Sequence, residues 1–305
     1  MTDVLIVGAG PAGLTAALYA ARAGKTVKIL DAEGIGGQIA KSPLVENYPG
    51  IAKMSGMSFA DNLYEQVSAL GVEFELAAAL RIEKGENGSH VVVTDDGNFE
   101  ARAVILATGV KHRLLNIPGE EEFQGHGISF CALCDGAFFK GRPVAVIGGG
   151  NTAITDAIYL SALASEVTIL HRRDEFRADE NLMERAKSIP NIFWLPNVNI
   201  EEFQGSGNLT QIRYTDKLDG SEKILKTDAA FIAIGQVPNN LAFADLTDLD
   251  AEGYFASDEG GATKSEGIFV AGDCRKKNVR QLTTAIADGS NAAVAAWKYI
   301  DSKFH

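Results

Sequence analysis

The segment "VLIVGAGPAGLTAALYAARAGKTVKILD", residues 4–31, decides the fold. An apolar run, Val4 to Val7, leads straight into a glycine turn. An alanine-rich helical stretch follows to about Ala23 and is closed by Gly24, and Thr26 to Leu30 reads as a second strand ending at Asp31. Strand, glycine turn, helix, strand and acid in this order form the dinucleotide-binding fingerprint in the context it requires. Gly8 allows the tight turn, Gly10 lets backbone approach a pyrophosphate, and Gly13 permits close helix–strand packing. The helix N-terminus presents free N–H groups and the positive end of its dipole to phosphates. Asp31 is placed to accept hydrogen bonds from ribose hydroxyls.

The pattern returns in "PVAVIGGGNTAITDAIYLSALASEVTILHRRDEFR", residues 143–177. A strand, Val144 to Ile147, meets Gly148, Gly149 and Gly150, with Ala153 in the third small position. A helix follows, then the strand Val167 to Leu170. Here the strand end carries His171, Arg172 and Arg173, with Arg177 four residues on, and no carboxylate stands at the ribose-reading position. Guanidinium groups bind a 2′-phosphate through charge-assisted hydrogen bonds where a carboxylate would repel it. The placement points to NADP(H) rather than NAD(H). A solvated basic patch is the plainer alternative.

Each glycine motif has an echo downstream: "ARAVILATGVKHRLLNIPG", residues 101–119, and "TDAAFIAIGQVPNN", residues 227–240. Both read as an apolar strand ending in a glycine turn, with proline shortly beyond. Alternating segments such as His90 to Thr94 and Leu209 to Thr215 suit small antiparallel sheets. The expectation is an α/β chain with two Rossmann-like nucleotide-binding domains, the second inserted into the first. Residues 1–113 and 242–305 would form the first nucleotide-binding domain, and 114–241 the second, NADP(H)-type domain carrying the CxxC; which cofactor the first takes is not decided by these motifs. The tail from Glu266, a strand, a Gly-Asp turn and an alanine-rich helix, should return to the first domain.

Composition narrows the function classes. The chain has 305 residues, long for one core, and 46% of them are apolar. No apolar run approaches the roughly 20 residues that span a bilayer. The N-terminus lacks a basic n-region and reads as a strand rather than a signal peptide. A net charge of −12 without a dense basic tract argues against nucleic acid. Three cysteines are too few for a disulfide scaffold, and a cytoplasmic, reducing compartment is expected.

Two of those cysteines stand in "SFCALCDGAFF", residues 129–139. A zinc site wants about four ligands, and beyond Cys131 and Cys134 there is only Cys274, with no histidine pair at ligand spacing. No metal site is expected. A redox role fits: one disulfide takes two electrons, as one hydride from a nicotinamide delivers, and thiolate attack through a mixed disulfide passes them between proteins. Asp135 could serve as an acid or as the cap of a following helix. Cys274 reads as a small buried hydrophobe. Phe138 and Phe139 read as core residues, and Arg275 to Lys277 is most simply a solvated loop.

Over essentially its whole length the chain resembles the low-molecular-weight, bacterial-type thioredoxin reductases. The resemblance rests on "GAGPAG", "GGQ" at Gly36 to Gln38, "ENYPG" at Glu46 to Gly50, "ATG" at Ala107 to Gly109 and "CALCDG". It continues through "GGGNTA", "HRRDEFR", "AGD" at Ala271 to Asp273 and "RQ" at Arg280 and Gln281, all in the family's order. It implies a homodimer with FAD that passes electrons from NADPH to thioredoxin. FAD would meet Gly8, Gly10, Pro11, Ala12, Gly13, Asp31, Gly37, Gln38, Asn47, Ala107, Thr108, Gly109, Gly272, Asp273, Arg280, Gln281 and Leu282. NADPH would meet Gly148, Gly150, Asn151, Thr152, Ala153, His171, Arg172, Arg173, Arg177 and Gly235. By the same resemblance Cys134 is the flavin-facing thiol, Cys131 attacks thioredoxin, and Asp135 protonates the leaving thiolate.

Two positions depart from the family's habit: Asp31 where glutamate is usual, and Leu133 where the middle pair is usually Ala-Thr. The CxxC lies between the two folds, where one static arrangement could hardly serve every contact, and the resemblance implies rotation of the domains between half-reactions. The alternative reading keeps the flavin disulfide chemistry but changes the donor to ferredoxin or the acceptor to another thioredoxin-like protein.

Overall fold

The computed structural model describes residues 1–304 and divides the chain into two units. Met1–Lys111 and the chain from Val237 onward make the first; His112–Gln236 make the second. The chain opens with β1 (Thr2–Val7), α1 (Pro11–Arg22), β2 (Val27–Asp31), α2 (Gly56–Ser68) and β3 (Glu73–Leu76). A meander follows, β4 (Ala79–Lys84), β5 (His90–Thr94) and β6 (Gly97–Leu106), and β7 (Val110–His112) carries the chain out. α1 starts on Pro11, whose missing N–H costs nothing in the first turn, and stops where Gly24 takes φ +77°.

The second unit runs through β8 (Ile128–Ser129), α3 (Ala132–Asp135), β9 (Pro143–Ile147), α4 (Asn151–Ser161), β10 (Glu166–Leu170), α5 (Glu180–Lys187) and β11 (Ile192–Leu195). It continues with β12 (Val198–Ser206), β13 (Asn208–Asp216), β14 (Glu222–Lys226) and β15 (Ala229–Ile232). The return through β16 (Gln236–Pro238) leads to β17 (Ile268–Val270) and α6 (Leu282–Phe304), and β16 pairs with β7.

Both units are built on the same plan. In the first, β3, β2, β1, β6 and β17 run parallel, and β4 and β5 extend the sheet antiparallel from the first half of β6. In the second, β11, β10, β9, β15 and β8 are all parallel, and β12, β13 and β14 form a separate antiparallel sheet.

Strand alternation explains why the central strands are apolar throughout. Val4 and Ile6 pack toward α1, α2 and α6, whereas Leu5 and Val7 join a core with Leu30, Phe243, Phe255 and Cys274. In β9, Val144 and Val146 face α4, while Ala145 and Ile147 meet Phe203, Leu209 and Ile212 of the antiparallel sheet. A strand covered on both faces has no polar side to show. Each such fully buried Leu or Ile contributes roughly 1.5–3 kcal/mol.

α1 and α6 touch closely because their contact is made of small residues: a Cβ on Gly289 would stand 2.2 Å from the Ala12 carbonyl oxygen. Among the described residues no helix is long and apolar enough to cross a membrane, and no group of three metal-ligating side chains converges.

Candidate active site

Cys131 and Cys134 form a disulfide, S–S 2.03 Å with Cα atoms 5.3 Å apart, at the turn between β8 and α3. Cys131 Sγ accepts a hydrogen bond from the Cys134 N–H at 3.2 Å. Asp135 does not cap the turn that follows it, as the sequence allowed; its Oδ2 accepts a hydrogen bond from Ser129 Oγ at 2.5 Å. Ser129 Oγ in turn accepts from the Cys131 N–H at 3.0 Å. Burial pushes the Asp135 carboxyl above the usual range, and the Ser129 bond pulls it part of the way back. The group is therefore a better proton holder than a surface aspartate.

Gly136 seats this turn on α4, since a Cβ there would stand 2.8 Å from Leu160 Cδ2 and 3.2 Å from Tyr159. Phe139 points inward, edge-on to Phe231 at 5.9 Å, while Leu133 and Phe138 are exposed beside the disulfide.

The first glycine turn separates its glycines by job. A Cβ on Gly8 (φ +112°) would lie 2.2 Å from the Ala107 carbonyl oxygen, and one on Gly13 would lie 1.8 Å from that of Gly8. Gly10 has φ −76°, and its Cβ would meet only Gly37 Cα at 4.0 Å. Neither backbone conformation nor protein packing demands glycine at Gly10, so the cleared space suits an outside group such as a pyrophosphate. Asp31 is held by the N–H groups of Ala9 (2.7 Å), Glu33 (2.7 Å) and Gly34 (3.0 Å). Gly37, Gln38 and Asn47 are exposed on the segment after β2.

Asn47 Nδ2 donates to Gln281 Oε1 at 3.2 Å, joining the segment after β2 to the start of α6, where Leu282 stands. Thr108 Oγ1 donates to Asn240 Oδ1 at 2.8 Å, between Ala107 and Gly109. The Gly272 N–H donates to Asp288 Oδ2 at 3.1 Å. Asp273 Oδ1 is buried without a hydrogen-bond partner, Lys277 Nζ lying 3.6 Å away. Burial raises the Asp273 carboxyl, opposed by Lys277 and Arg280. An orphaned buried acceptor is what a hydroxyl-bearing ligand such as a flavin's ribityl chain would satisfy. Arg280 lies over the Tyr254 ring at 3.9 Å and donates to the Asp273 carbonyl at 3.1 Å.

The reading of Arg275 to Lys277 as a solvated loop is corrected. Arg275 and Lys277 are only 12% and 11% exposed, and each pairs with Asp288 at 2.8 Å. Only Lys276 is exposed. Asp288 draws both cations inward from α6, sixteen residues past Gly272.

In the second turn a Cβ on Gly148 (φ +154°) would stand 2.4 Å from the Ala233 carbonyl oxygen and 2.9 Å from Ala153 Cβ. Gly150 has φ −103° and nothing within 4 Å of its would-be Cβ, repeating the cleared space at Gly10. Asn151 and Asp179 exchange two hydrogen bonds, 2.8 and 2.9 Å, and Thr152 is exposed beside them. The Arg177 N–H donates to the Gly149 carbonyl at 2.7 Å, tying the arginine segment to the glycine turn.

Arg172, Arg173 and Arg177 are exposed, and among the described residues no carboxylate pairs with their guanidinium groups. Three like charges thus stand in one segment without a carboxylate partner among the described residues. His171 is buried and tilted against Phe176 at 4.9 Å; burial first, and then these arginines, hold its imidazole below the usual range, so it is neutral at pH 7. Gly235 (φ +107°) accepts from the Arg113 N–H at 3.1 Å.

Sequence reasoning missed Ser129, Tyr254 and Asp288. Ser129 had one available signal, its place two residues before Cys131 on the incoming strand. The other two had none, because their partners lie far away along the chain.

The pyridine nucleotide-disulphide oxidoreductase family matches residues 2–289. The thioredoxin reductase of Listeria innocua is 41% identical over 300 residues, 98% of this chain and 94% of that one. The thioredoxin reductase structure from Streptococcus pyogenes superposes with TM-score 0.96 at 38% identity, covering 99% of each chain. That of Lactococcus lactis, described as the FR conformation, gives 0.67 at 37% identity, covering 99% of this chain and 100% of that one.

Proposed function

The chain belongs to the pyridine nucleotide-disulphide oxidoreductase family, and from that premise we propose that it is an NADPH-dependent thioredoxin-disulfide reductase with FAD as its flavin. The observation that carries the reading is the Cys131–Cys134 disulfide followed by Asp135, whose partly buried carboxyl is raised above the usual range and bonded to Ser129. FAD, when bound, would supply two-electron redox chemistry between a nicotinamide and that disulfide. Gly10 would admit its pyrophosphate in the turn that Gly8 and Gly13 shape, Asp31 would meet its ribose, and Asp273 a hydroxyl of its ribityl chain. Pro11 to Gly13 would present the α1 N-terminus to the phosphates. Gly37, Gln38, Asn47, the Ala107–Gly109 turn, Gly272 and Arg280 to Leu282 would complete the cradle.

Gly148, Gly150 and Asn151 to Ala153 would receive the NADPH pyrophosphate, with His171 and Gly235 beside it. Arg172, Arg173 and Arg177, whose guanidinium groups pair with no carboxylate among the described residues, would supply the charge a 2′-phosphate requires. Once reduced, Cys131 as thiolate attacks the partner's disulfide, and Cys134 resolves the mixed disulfide. Asp135 gives its proton to the leaving thiolate and is reloaded from the Cys134 thiol.

Domain rotation between half-reactions is part of the proposal. It is supported by the family resemblance and by the place of the CxxC in the unit inserted between the two halves of the other. Cross-linking the two units should abolish thioredoxin turnover while leaving bound FAD in place; unaltered turnover would refute rotation. A cytoplasmic homodimer completes the reading, supported by the family resemblance and testable by sedimentation.

The deciding experiment is anaerobic. NADPH, then NADH, then oxidised thioredoxin are added while flavin absorbance is followed in wild type and Cys134→Ser. The reading expects bleaching by NADPH, poor bleaching by NADH, and recovery with thioredoxin only when Cys134 is present. A flavin left oxidised by NADPH would move the donor to a ferredoxin-type protein. A reduced flavin that thioredoxin cannot reoxidise would move the acceptor to another disulfide protein.

A further inference from the structure

Ser129 is 6% exposed and stands at the end of β8, where the parallel ladder pairs it with Phe231. Its hydroxyl has one proton and two lone pairs. The proton lies toward Asp135 Oδ2 at 2.5 Å, and a lone pair receives the Cys131 N–H at 3.0 Å. A second acceptor, the Cys131 carbonyl at 3.4 Å, is too distant to compete for the single proton. Every hydrogen bond this buried hydroxyl makes therefore goes to the redox turn, and none to the sheet that carries it.

We propose that Ser129 is a positioning residue of the disulfide exchange, occupying Oδ2 of Asp135 so that Oδ1 is the oxygen that carries the transferable proton, while fixing the Cys131 backbone beside it. The inference rests on the thioredoxin reductase reading for its acceptor, but not for its geometry.

The exchange balances as follows. Cys131, its proton already lost to solvent, bonds to one partner sulfur; the partner's S–S bond breaks, and the leaving sulfur takes the proton from Asp135 Oδ1. Cys134 then gives its proton to the carboxylate and bonds to Cys131, displacing the second partner sulfur, which collects a proton from solvent. The enzyme dithiol is oxidised and the partner disulfide reduced, with Oδ2 bound to Ser129 throughout.

No charged side chain enters the balance at Asp135, which is set by burial and by Ser129. On α4, packed against the turn, the titratable groups are Asp156 and Tyr159; Lys140 lies beyond Phe139 and is exposed. The Asp156 shift arises from burial alone.

The test compares wild type, Ser129→Ala, Ser129→Thr and Asp135→Asn. The Asp135 carboxyl is followed against pH by its infrared band, assigned by its disappearance in Asp135→Asn, in the dithiothreitol-reduced protein. Single-turnover thioredoxin reduction is followed in parallel. In Ser129→Ala the carboxyl should titrate at higher pH, having lost the bond that favours its ionised form, and exchange should slow at least about tenfold. Ser129→Thr should restore both. In an Asp135→Asn background, Ser129→Ala should cost little further rate, since the two act as one unit.

An unshifted band in Ser129→Ala, or rate losses that simply multiply in the double variant, would overturn the proposal. The infrared readout needs neither nucleotide nor thioredoxin. Should wild type fail to reduce thioredoxin while the band still shifts in Ser129→Ala, the acceptor assignment fails and the role of Ser129 stands.

Discussion

Gly149 lies directly beneath the imidazole of His171: a Cβ on Gly149 would stand 2.4 Å from His171 Cε1 and 2.5 Å from Nδ1. The three consecutive glycines of the second turn thus have three different reasons. Gly148 takes a positive φ against the Ala233 carbonyl, Gly149 makes room for a buried ring, and Gly150 leaves open space. The ring is held at its edge as well, with Nε2 3.1 Å from the Glu175 carbonyl oxygen.

Gly149→Ala should therefore act through His171. The ring has to shift, and with it the segment bearing Arg172 and Arg173. Overpacking of this kind costs about 1–3 kcal/mol. The expected outcome is a lower unfolding midpoint and weaker NADPH binding, with flavin content unchanged. Equal loss of both nucleotides would contradict it.

Gly10→Ala and Gly13→Ala should separate ligand space from packing space. At Gly10 the backbone and the surroundings both accept a Cβ, so urea unfolding of the flavin-free protein should change by less than about 0.5 kcal/mol. Its FAD occupancy should nevertheless fall. Gly13→Ala, 1.8 Å from a carbonyl oxygen, should destabilise the flavin-free protein itself. If Gly10→Ala retains full FAD occupancy, the space above it is not the pyrophosphate site.

Arginine substitutions should discriminate between nucleotides. Arg172→Ala, Arg173→Ala or Arg177→Ala removes an exposed guanidinium with no carboxylate partner among the described residues, so folding stability should stay within about 0.5 kcal/mol. Each lost charge-assisted contact is worth roughly 1.5–3 kcal/mol, or about tenfold or more in KM for NADPH. KM for NADH should hardly move. A parallel rise for both nucleotides would count against 2′-phosphate recognition.

Asp156 should give the protein a measurable pH dependence of stability. Burial raises its carboxyl from 3.8 to about 6, so the folded protein holds this proton more tightly than the unfolded chain does. Its contribution is fully present below pH 3.8 and is lost as pH rises from there to about 6. The loss amounts to at most about 3 kcal/mol. Asp156→Asn should flatten urea midpoints across this window and be the more stable protein at pH 7. A wild-type slope that survives the substitution would assign the effect to another group.

Both nucleotide folds and the redox pair were legible in the residues because their signals are local. Gly8, Gly13 and Gly148 mark turns and close approaches whose geometry a few neighbours dictate. The alternation in β5 and β13 follows from one covered face, and the unbroken apolar runs of β1 and β9 from two. Cys131 and Cys134 stand three positions apart, so a redox pair could be argued from their spacing, whereas the separate roles of the two thiols and of Asp135 came from the family resemblance.

Tertiary structure decided what depended on burial and on partners brought from far away. Arg275 and Lys277 have the composition of a solvated loop, yet Asp288 on α6 draws both inward. Asn47 reaches Gln281 across 234 residues of sequence, a pairing no local pattern encodes. The sequence offered Asp135 as an acid or a helix cap, and only the folded position of Ser129 shows which contact its carboxyl makes. Turn chemistry and periodicity are properties of short stretches and can be read from them. Desolvation and hydrogen-bond partnership belong to the packed molecule, because they depend on which distant groups share the same few ångströms.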